Sequence, residues 1–235
     1  MELQRNINSK NYLFCLITVI SCFVFGYILP ISIDHVESLT LYDYFNSVYT
    51  VITQFGPLVF SIVIIYVINT DYREKNILFY SSIGYGPLKH FLFKLIPVCL
   101  NLSFTLLLTT GVTCILYKDF SNYWIMFAYY ECALLSEILI ASVFAFLFKN
   151  ILMAFCLNLV VWIGQIILST SSKVFSILAY YDASNHLYDD LQKYLSSGNR
   201  AFVHITQSLI YDFVLFLIVV MIIIVFRKRW IKNGV

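Results

Sequence analysis

Six long apolar runs divide this chain, and they constrain its fold more than any other feature. A helix needs about 20 mostly apolar residues to cross about 30 Å of hydrocarbon. Only 12% of the 235 residues are charged, compared with about 25% in soluble proteins. We therefore predict an all-α polytopic membrane protein, a single transmembrane domain over residues 1–235. Its six transmembrane helices lie near 11–31, 47–69, 95–117, 123–147, 150–169 and 208–226.

The Lys and Arg residues of the short connections predict the orientation. If there are six spans, the N-terminus, the 70–94 connection, the turn at Lys149 and the tail RKRWIK share one side of the membrane. The other side has no Lys or Arg in the 32–46 connection and only Lys118 in the next one. By the positive-inside rule, both termini are cytoplasmic. The long segment 170–207 is then external, and the chain is a multi-pass protein of the cytoplasmic membrane.

Several common chemistries are excluded by missing motifs. The chain has no G-x-x-x-x-G-K-[ST] phosphate loop, no H-E-x-x-H and no G-x-S-x-G, and its four histidines are scattered over different connections. Its six cysteines lie inside predicted spans without a C-x-x-C pair. Its basic residues are too few and too close to the membrane for nucleic-acid binding. We expect no catalytic residues, no metal site and no nucleic-acid partner, and an intramembrane enzyme is disfavoured.

The densest charge falls in the connection DYREKNILFYSSIGYGPLKHFLFK, residues 71–94. We predict a short cytoplasmic helix over 71–80 that Asp71 caps, followed by a segment along the membrane surface whose Lys89 and Lys94 reach the head groups. Mixed charge around a small apolar patch suits docking to a soluble partner. The alternative is a positive loop that only fixes the topology.

With these features the chain resembles a small bacterial type 2 ATP-binding-cassette (ABC) transporter permease. The resemblance rests on six spans, the N-terminal segment MELQRNINSK, the charged DYREKN between spans two and three, Lys94 before span three, and the external segment 170–207. Such permeases lack nucleotide-binding motifs and cofactors of their own, since a separate ATPase subunit binds ATP and Mg. The resemblance thus implies ABC ATPase subunits as partners, together with a second permease chain in a homodimer or heterodimer within the lipid bilayer.

The resemblance also gives the charged connection a role as the coupling helix, 71–80, through which the ATPase moves the spans. This chain would form half of the translocation pathway. It also implies export of a peptide or other amphipathic substrate, including antimicrobial-peptide export or immunity, and the many aromatic residues suit such a cargo. The predicted coupling residues are Asp71, Arg73, Glu74, Lys75, Ile77, Leu78 and Phe79.

Polar residues inside the spans are candidates for the translocation pathway. Glu131 and Glu137 lie within span four, where a carboxylate must face protein, water or a partner. They are about 240° apart around a helix, so they cannot form one pair on one face. We expect one to contact the pathway and the other a neighbouring helix. Asn158 and Gln165 share a face of span five, and helix packing is the alternative role for all four side chains.

The external segment contains one amphipathic pattern. In NHLYDDLQKYL, an apolar stripe recurs at i, i+4, i+7 and i+8 opposite three charged residues. This spacing predicts a short helix at the outer interface that either gates or merely covers the bundle. The stripe consists of Leu187, Leu191, Tyr194 and Leu195.

Two ATP-independent functions remain open from the sequence. A secondary carrier could use Glu131 or Glu137 as a proton relay, and a vitamin-uptake binding subunit would have a similar composition. Carriers often contain inverted repeats, and none is visible by eye in this sequence.

Overall fold

The computed structural model describes residues 11–33, 35, 38–73, 80, 84, 86–171 and 173–234. Within them, six helices are long and apolar enough to cross a membrane, as predicted. The six are the helices labelled α1 to α5 and α7 in the next sentence, which gives the described α-helices in chain order. The helices are α1 (Asn11–Ile33), α2 (Leu41–Arg73), α3 (Pro87–Tyr117), α4 (Tyr123–Leu147), α5 (Ile151–Ser171), α6 (His186–Ser197), α7 (Ile205–Val225) and α8 (Arg227–Gly234). Short three-ten helices at Lys173–Ala179 and Arg200–Phe202 flank α6.

Helices α2 and α4 form the centre of the bundle. In its most apolar stretch α2 has 67% of its residues buried, whereas α5 has only 11%. Helix α2 packs against α1, α4 and α5, and α4 also packs against α3 and α7. Helix α5 therefore lies at the periphery, with most of its apolar surface uncovered by the rest of the chain.

Tyrosines fill much of this centre. Tyr49, Tyr129 and Tyr130 are fully buried. The Tyr130 hydroxyl donates to the carbonyl oxygen of Phe45 at 2.9 Å, and the Tyr44 hydroxyl donates to that of Phe23 at 2.9 Å. Buried phenols need such partners, and the bonds tie α1, α2 and α4 together. A large part of the aromatic content therefore serves internal packing.

Helices α2 and α3 are longer than the predicted spans. Helix α2 begins at Leu41 rather than near 47 and ends at Arg73, and α3 begins at Pro87 rather than near 95. Asp71 therefore lies in the last turn of α2, so the prediction that it caps a separate helix is wrong. The segment PLKHFLFK was expected to run along the membrane surface, but it forms the first turns of α3.

The segment 170–207, which is predicted to be external and is called the external segment below, folds back onto the bundle in its described part. Helix α6 contains the predicted stripe, and its four buried residues are Leu187, Leu191, Tyr194 and Leu195. The side chain of Asn185 caps its N-terminus by accepting from the Leu187 N–H. The Tyr188 hydroxyl lies 2.7 Å from that of Thr50, which joins α6 to α2. The segment is thus packed against the spans.

Candidate functional site

An ion pair joins α2 and α3 where the charged connection leaves the bundle. The Lys94 ammonium lies 2.9 Å from Oδ2 of Asp71, and Nε2 of His90 lies 3.4 Å from the same oxygen. The side chains of Asp71, His90 and Lys94 are 0%, 6% and 7% exposed. A carboxylate is unfavourable at a helix C-terminus. The contact with Lys94 compensates for that position and fixes the two helix ends relative to each other.

Further contacts hold this end of α2 in place. The Tyr72 hydroxyl donates to the carbonyl oxygen of Phe146 at 2.7 Å, which connects α2 to the end of α4. The ring of Tyr80 stacks on that of His90 with centroids 5.1 Å apart. The base of the charged connection is therefore a packed unit of three helices.

The coupling residues fall into two groups. Asp71 is buried at this base, so its side chain does not lie on a docking surface. Arg73 is the last residue of α2. The others, Glu74, Lys75, Ile77, Leu78 and Phe79, lie outside the described residues. Lys94 was expected to reach the lipid head groups, but it is buried because it pairs with Asp71.

Glu131 and Glu137 face different neighbours, as their angular separation requires. The Ser103 hydroxyl of α3 donates to Oε1 of Glu131, and Oε2 of that carboxyl has no hydrogen-bond partner among the described residues. Glu137 instead lines a small cavity between α2, α4, α5 and the external segment. The two carboxyls thus lie on separate sides of α4.

The two polar residues of α5 also separate. Gln165 lines the same cavity as Glu137. Asn158 is buried, and its amide lies 3.4 Å from the carbonyl oxygen of Pro57 in α2. Among the four residues predicted for the pathway, the cavity therefore unites Glu137 and Gln165. Glu131 and Asn158 make contacts between helices.

Sequence reasoning missed a third intramembrane carboxyl, Asp212 of α7. Asp212 is 7% exposed, and Oδ1 accepts from the Tyr181 hydroxyl at 3.0 Å. The same hydroxyl lies 3.2 Å from the carbonyl oxygen of Ser208. Burial, and next the nearby Asp212 carboxyl, raise the pKa of the Tyr181 phenol. The signal that identified Glu131, a carboxylate inside an apolar run, also applies to Asp212.

Sequence reasoning also missed a long groove between α1 and α3, with a volume of about 1300 Å³. Apolar side chains form most of its wall, from Tyr12 at one end of α1 to Leu39 beyond the other. Helix α3 adds a polar stripe at four-residue spacing: Asn101, Thr105, Thr109 and Thr113. The three threonine hydroxyls donate to their own helix at 2.8–3.0 Å. The groove can therefore accommodate an extended amphipathic molecule.

Within the described ranges, no three His, Cys, Asp or Glu side chains come together as metal ligands.

Comparison with known proteins identifies relatives along the entire chain. The family model described as "Peptide export permease protein YydJ family" matches residues 1–235. The chain is 32% identical over 240 residues to the "Probable peptide export permease protein YydJ" of Bacillus subtilis (strain 168), covering 100% of this chain and 99% of that protein. No solved structure gives a significant match. The six apolar helices and this full-length similarity show that the chain is a multi-pass membrane protein of the YydJ peptide export permease family.

Proposed function

We propose that this chain is the membrane subunit of an ABC exporter and that a separate ATPase, which binds ATP and Mg, drives it. The observation that carries the proposal is the packed base of the charged connection. A driven permease needs a firm mechanical link between its cytoplasmic surface and its spans. Asp71, Lys94 and Tyr72 supply such a link, because they fix the ends of α2, α3 and α4 to one another.

The lengths of α2 and α3 support this role. Their apolar-spanning portions contain 32 and 31 residues, which at 1.5 Å per residue extend about 48 and 46 Å. The hydrocarbon layer is only about 30 Å thick. Both helices are therefore long enough to carry the 74–86 connection beyond the membrane surface. With the N-terminus cytoplasmic, that surface is the one an ATPase reaches.

We propose a peptide or other amphipathic molecule as the exported substrate, with antimicrobial-peptide export or immunity as the biological setting. The relative from Bacillus subtilis carries peptide export in its name. The groove between α1 and α3 supports the proposal, because its apolar wall and threonine stripe offer both kinds of surface that an amphipathic chain presents.

A second permease chain would complete the pathway. Helix α5 exposes large apolar residues along its length, including Leu152 at 67%, Val160 at 64% and Ile167 at 58%. Lipid can cover such a surface, but so can a second copy or a related chain. We place the partner permease against this side of the bundle, in a homodimer or heterodimer.

Co-purification with a candidate ABC ATPase, sought among the genes beside this one, tests the proposal. Glu74→Lys reverses one charge of the predicted coupling helix without opposing the positive-inside topology. Losing a buried interfacial charge contact costs about 2–5 kcal/mol. We expect Glu74→Lys to insert normally but to lose most of its bound ATPase and its peptide export.

Asp189→Lys is the matched control, because Asp189 is an exposed carboxylate of α6 on the predicted external side. This variant should keep both ATPase binding and export. If Glu74→Lys retains the ATPase and exports as well as the unmodified chain, residues 71–80 do not couple it. If no ATPase co-purifies with any variant, an ATP-independent carrier becomes the better description.

A further inference from the structure

The cavity beside Glu137 has the size and the lining of a small binding site. It offers about 30 Å³ to groups the size of water, and one water requires about 10–15 Å³ on that measure. The cavity therefore admits two or three such groups. Its polar lining comes from Thr53 of α2, Ser136 and Glu137 of α4, Gln165 of α5 and Asp182 of the external segment.

The hydroxyl groups of this lining present lone pairs rather than hydrogens. The Thr53 hydroxyl donates to the carbonyl oxygen of Tyr49 at 3.0 Å. The Ser136 hydroxyl donates to the carbonyl oxygen of Ala133 at 2.8 Å. Each hydroxyl has one hydrogen to donate. Because these hydrogens already bond to the backbone, both oxygens can only accept from a group in the cavity.

Pro57 in α2 leaves a further acceptor. A helical residue normally donates its N–H to the carbonyl four residues earlier, and proline has no N–H. Pro57 lies inside α2, so it cannot donate to the backbone carbonyl of Thr53. That carbonyl belongs to a residue that lines the cavity. Gly56 keeps this turn close to α4, with its Cβ position 3.9 Å from Cγ of Glu137.

The two carboxyl groups of the lining differ in their partners. Asp182 accepts from the Gln54 amide at 2.9 Å and from the backbone N–H and the hydroxyl of Ser184 at 2.9 and 2.5 Å. Glu137 forms no ion pair with a Lys or Arg in the part of the chain that the structure describes. The Asp182 oxygens are thus held by neutral donors, whereas Glu137 remains available to face a positive charge in the cavity.

A buried phenol completes the lining. Tyr180 is 8% exposed and lines the cavity. Its hydroxyl lies near Ser208 without completing a hydrogen bond to a described residue. A phenol oxygen can accept as well as donate, so it is available to a group in the cavity.

We propose that this cavity binds a monovalent cation about the size of a water molecule, with the Glu137 carboxylate as its counter-charge. The surrounding acceptors suit either an ammonium group, which donates hydrogen bonds, or an alkali ion, which oxygen atoms coordinate. Asp182 also has no Lys or Arg partner among the described residues, so its charge adds to the attraction for a cation. The cation is either a free ion or the primary ammonium of a peptide in transit.

Trp162 provides the readout because its side chain lines the cavity. The full chain, with Trp124→Phe and Trp230→Phe to leave one tryptophan, is titrated in lipid nanodiscs at constant ionic strength. The probes are methylammonium chloride and sodium chloride, and choline chloride, whose cation is too large, serves as the reference salt. We expect a saturable change in Trp162 fluorescence with methylammonium or sodium, relative to choline.

Variants locate the binding. Glu137→Gln keeps the shape of the side chain and should weaken binding at least tenfold, while Glu137→Asp keeps the charge and should weaken it less. Glu131→Gln removes the other carboxyl of α4, which does not line the cavity, and should leave the titration unchanged. Absence of a saturable response to either cation would overturn the proposal, and so would an unchanged titration in a folded Glu137→Gln chain.

A competition experiment with peptides distinguishes a free ion from a peptide ammonium as the natural occupant. This part of the inference rests on the proposed function. A lysine-containing peptide should displace the bound cation, whereas the same peptide with acetylated amines should not, if a peptide ammonium is the natural occupant. Displacement by neither peptide assigns the cavity to a free ion. Because these titrations use no ATPase, their outcome is separable from failure of the export proposal.

Discussion

Lys94 reaches Asp71 at 2.9 Å across the junction of α2 and α3, and neither side chain is more than 7% exposed. Breaking a buried ion pair by removing one partner costs about 3–5 kcal/mol, because the remaining charge stays buried. We expect Lys94→Met and Asp71→Leu each to destabilise the chain by this order, and the double variant by much less. Thermal unfolding in detergent, analysed as a double-mutant cycle, measures the coupling.

The exposed pair Lys193–Asp190 is the matched control for that cycle. Its distance is 3.0 Å, but the Lys193 side chain is 57% exposed. Such pairs contribute at most about 1 kcal/mol. Losses of equal size at both pairs would contradict the buried contact between Asp71 and Lys94.

Gly26 marks the closest approach of α1 and α2. A Cβ at this position would lie 2.6 Å from Cγ2 and 3.0 Å from Cα of Val48. The second contact involves backbone, so the helices must separate to accommodate alanine. We expect Gly26→Ala to destabilise the chain by about 1–3 kcal/mol, the usual cost of overpacking. Gly164→Ala should cause no loss, because its Cβ would meet nothing within 4 Å. Equal melting temperatures for the two variants would contradict this helix contact.

Tyr181 anchors the external segment to α7 through Asp212 and Ser208. Tyr181→Phe removes a hydrogen-bond donor from the buried Asp212 carboxyl, which costs about 1–3 kcal/mol. We expect faster amide hydrogen exchange in residues 180–197 of this variant. Tyr27→Phe tests the loss of a hydroxyl at a half-exposed site, since Tyr27 is 49% exposed. Exchange rates that respond equally to both substitutions would argue against the Tyr181 anchor.

The orientation can be tested with reporter fusions. The loop charges predict that a fusion at Val235 is cytoplasmic and that one near Asn185 is external. An alkaline phosphatase and green fluorescent protein pair should therefore report opposite sides. Signals from the same side at both positions would contradict the predicted topology.

The number of spans was predictable because a run of about 20 apolar residues has few alternatives to crossing a membrane. The ends of α2 and α3 were not, since Asp71, His90 and Lys94 are polar residues that become buried in contact with one another. Hydropathy alone predicts that such polar residues lie outside the spans, at the membrane surface. The stripe of α6 was predictable because its apolar positions follow helical spacing, whatever covers them.

The candidate site could be predicted only in part from the sequence, for the same reason. The separation of Glu131 and Glu137 follows from helix geometry alone. Their partners, Ser103 and the external segment, depend on tertiary packing. The groove between α1 and α3 depends on how far apart those two helices lie, which no local pattern encodes.

ATP-dependent transport by the reconstituted complex tests the central claim most directly. The chain and the ABC ATPase that co-purifies with it are placed in proteoliposomes, and export of a labelled amphipathic peptide is followed with ATP. A paired sample contains an ATPase whose Walker-B carboxylate is replaced and which cannot hydrolyse ATP. Coupling predicts transport only with the active ATPase, and its loss when Glu74→Lys replaces the unmodified chain. Equal transport with the inactive ATPase, or with no ATPase, would contradict the account.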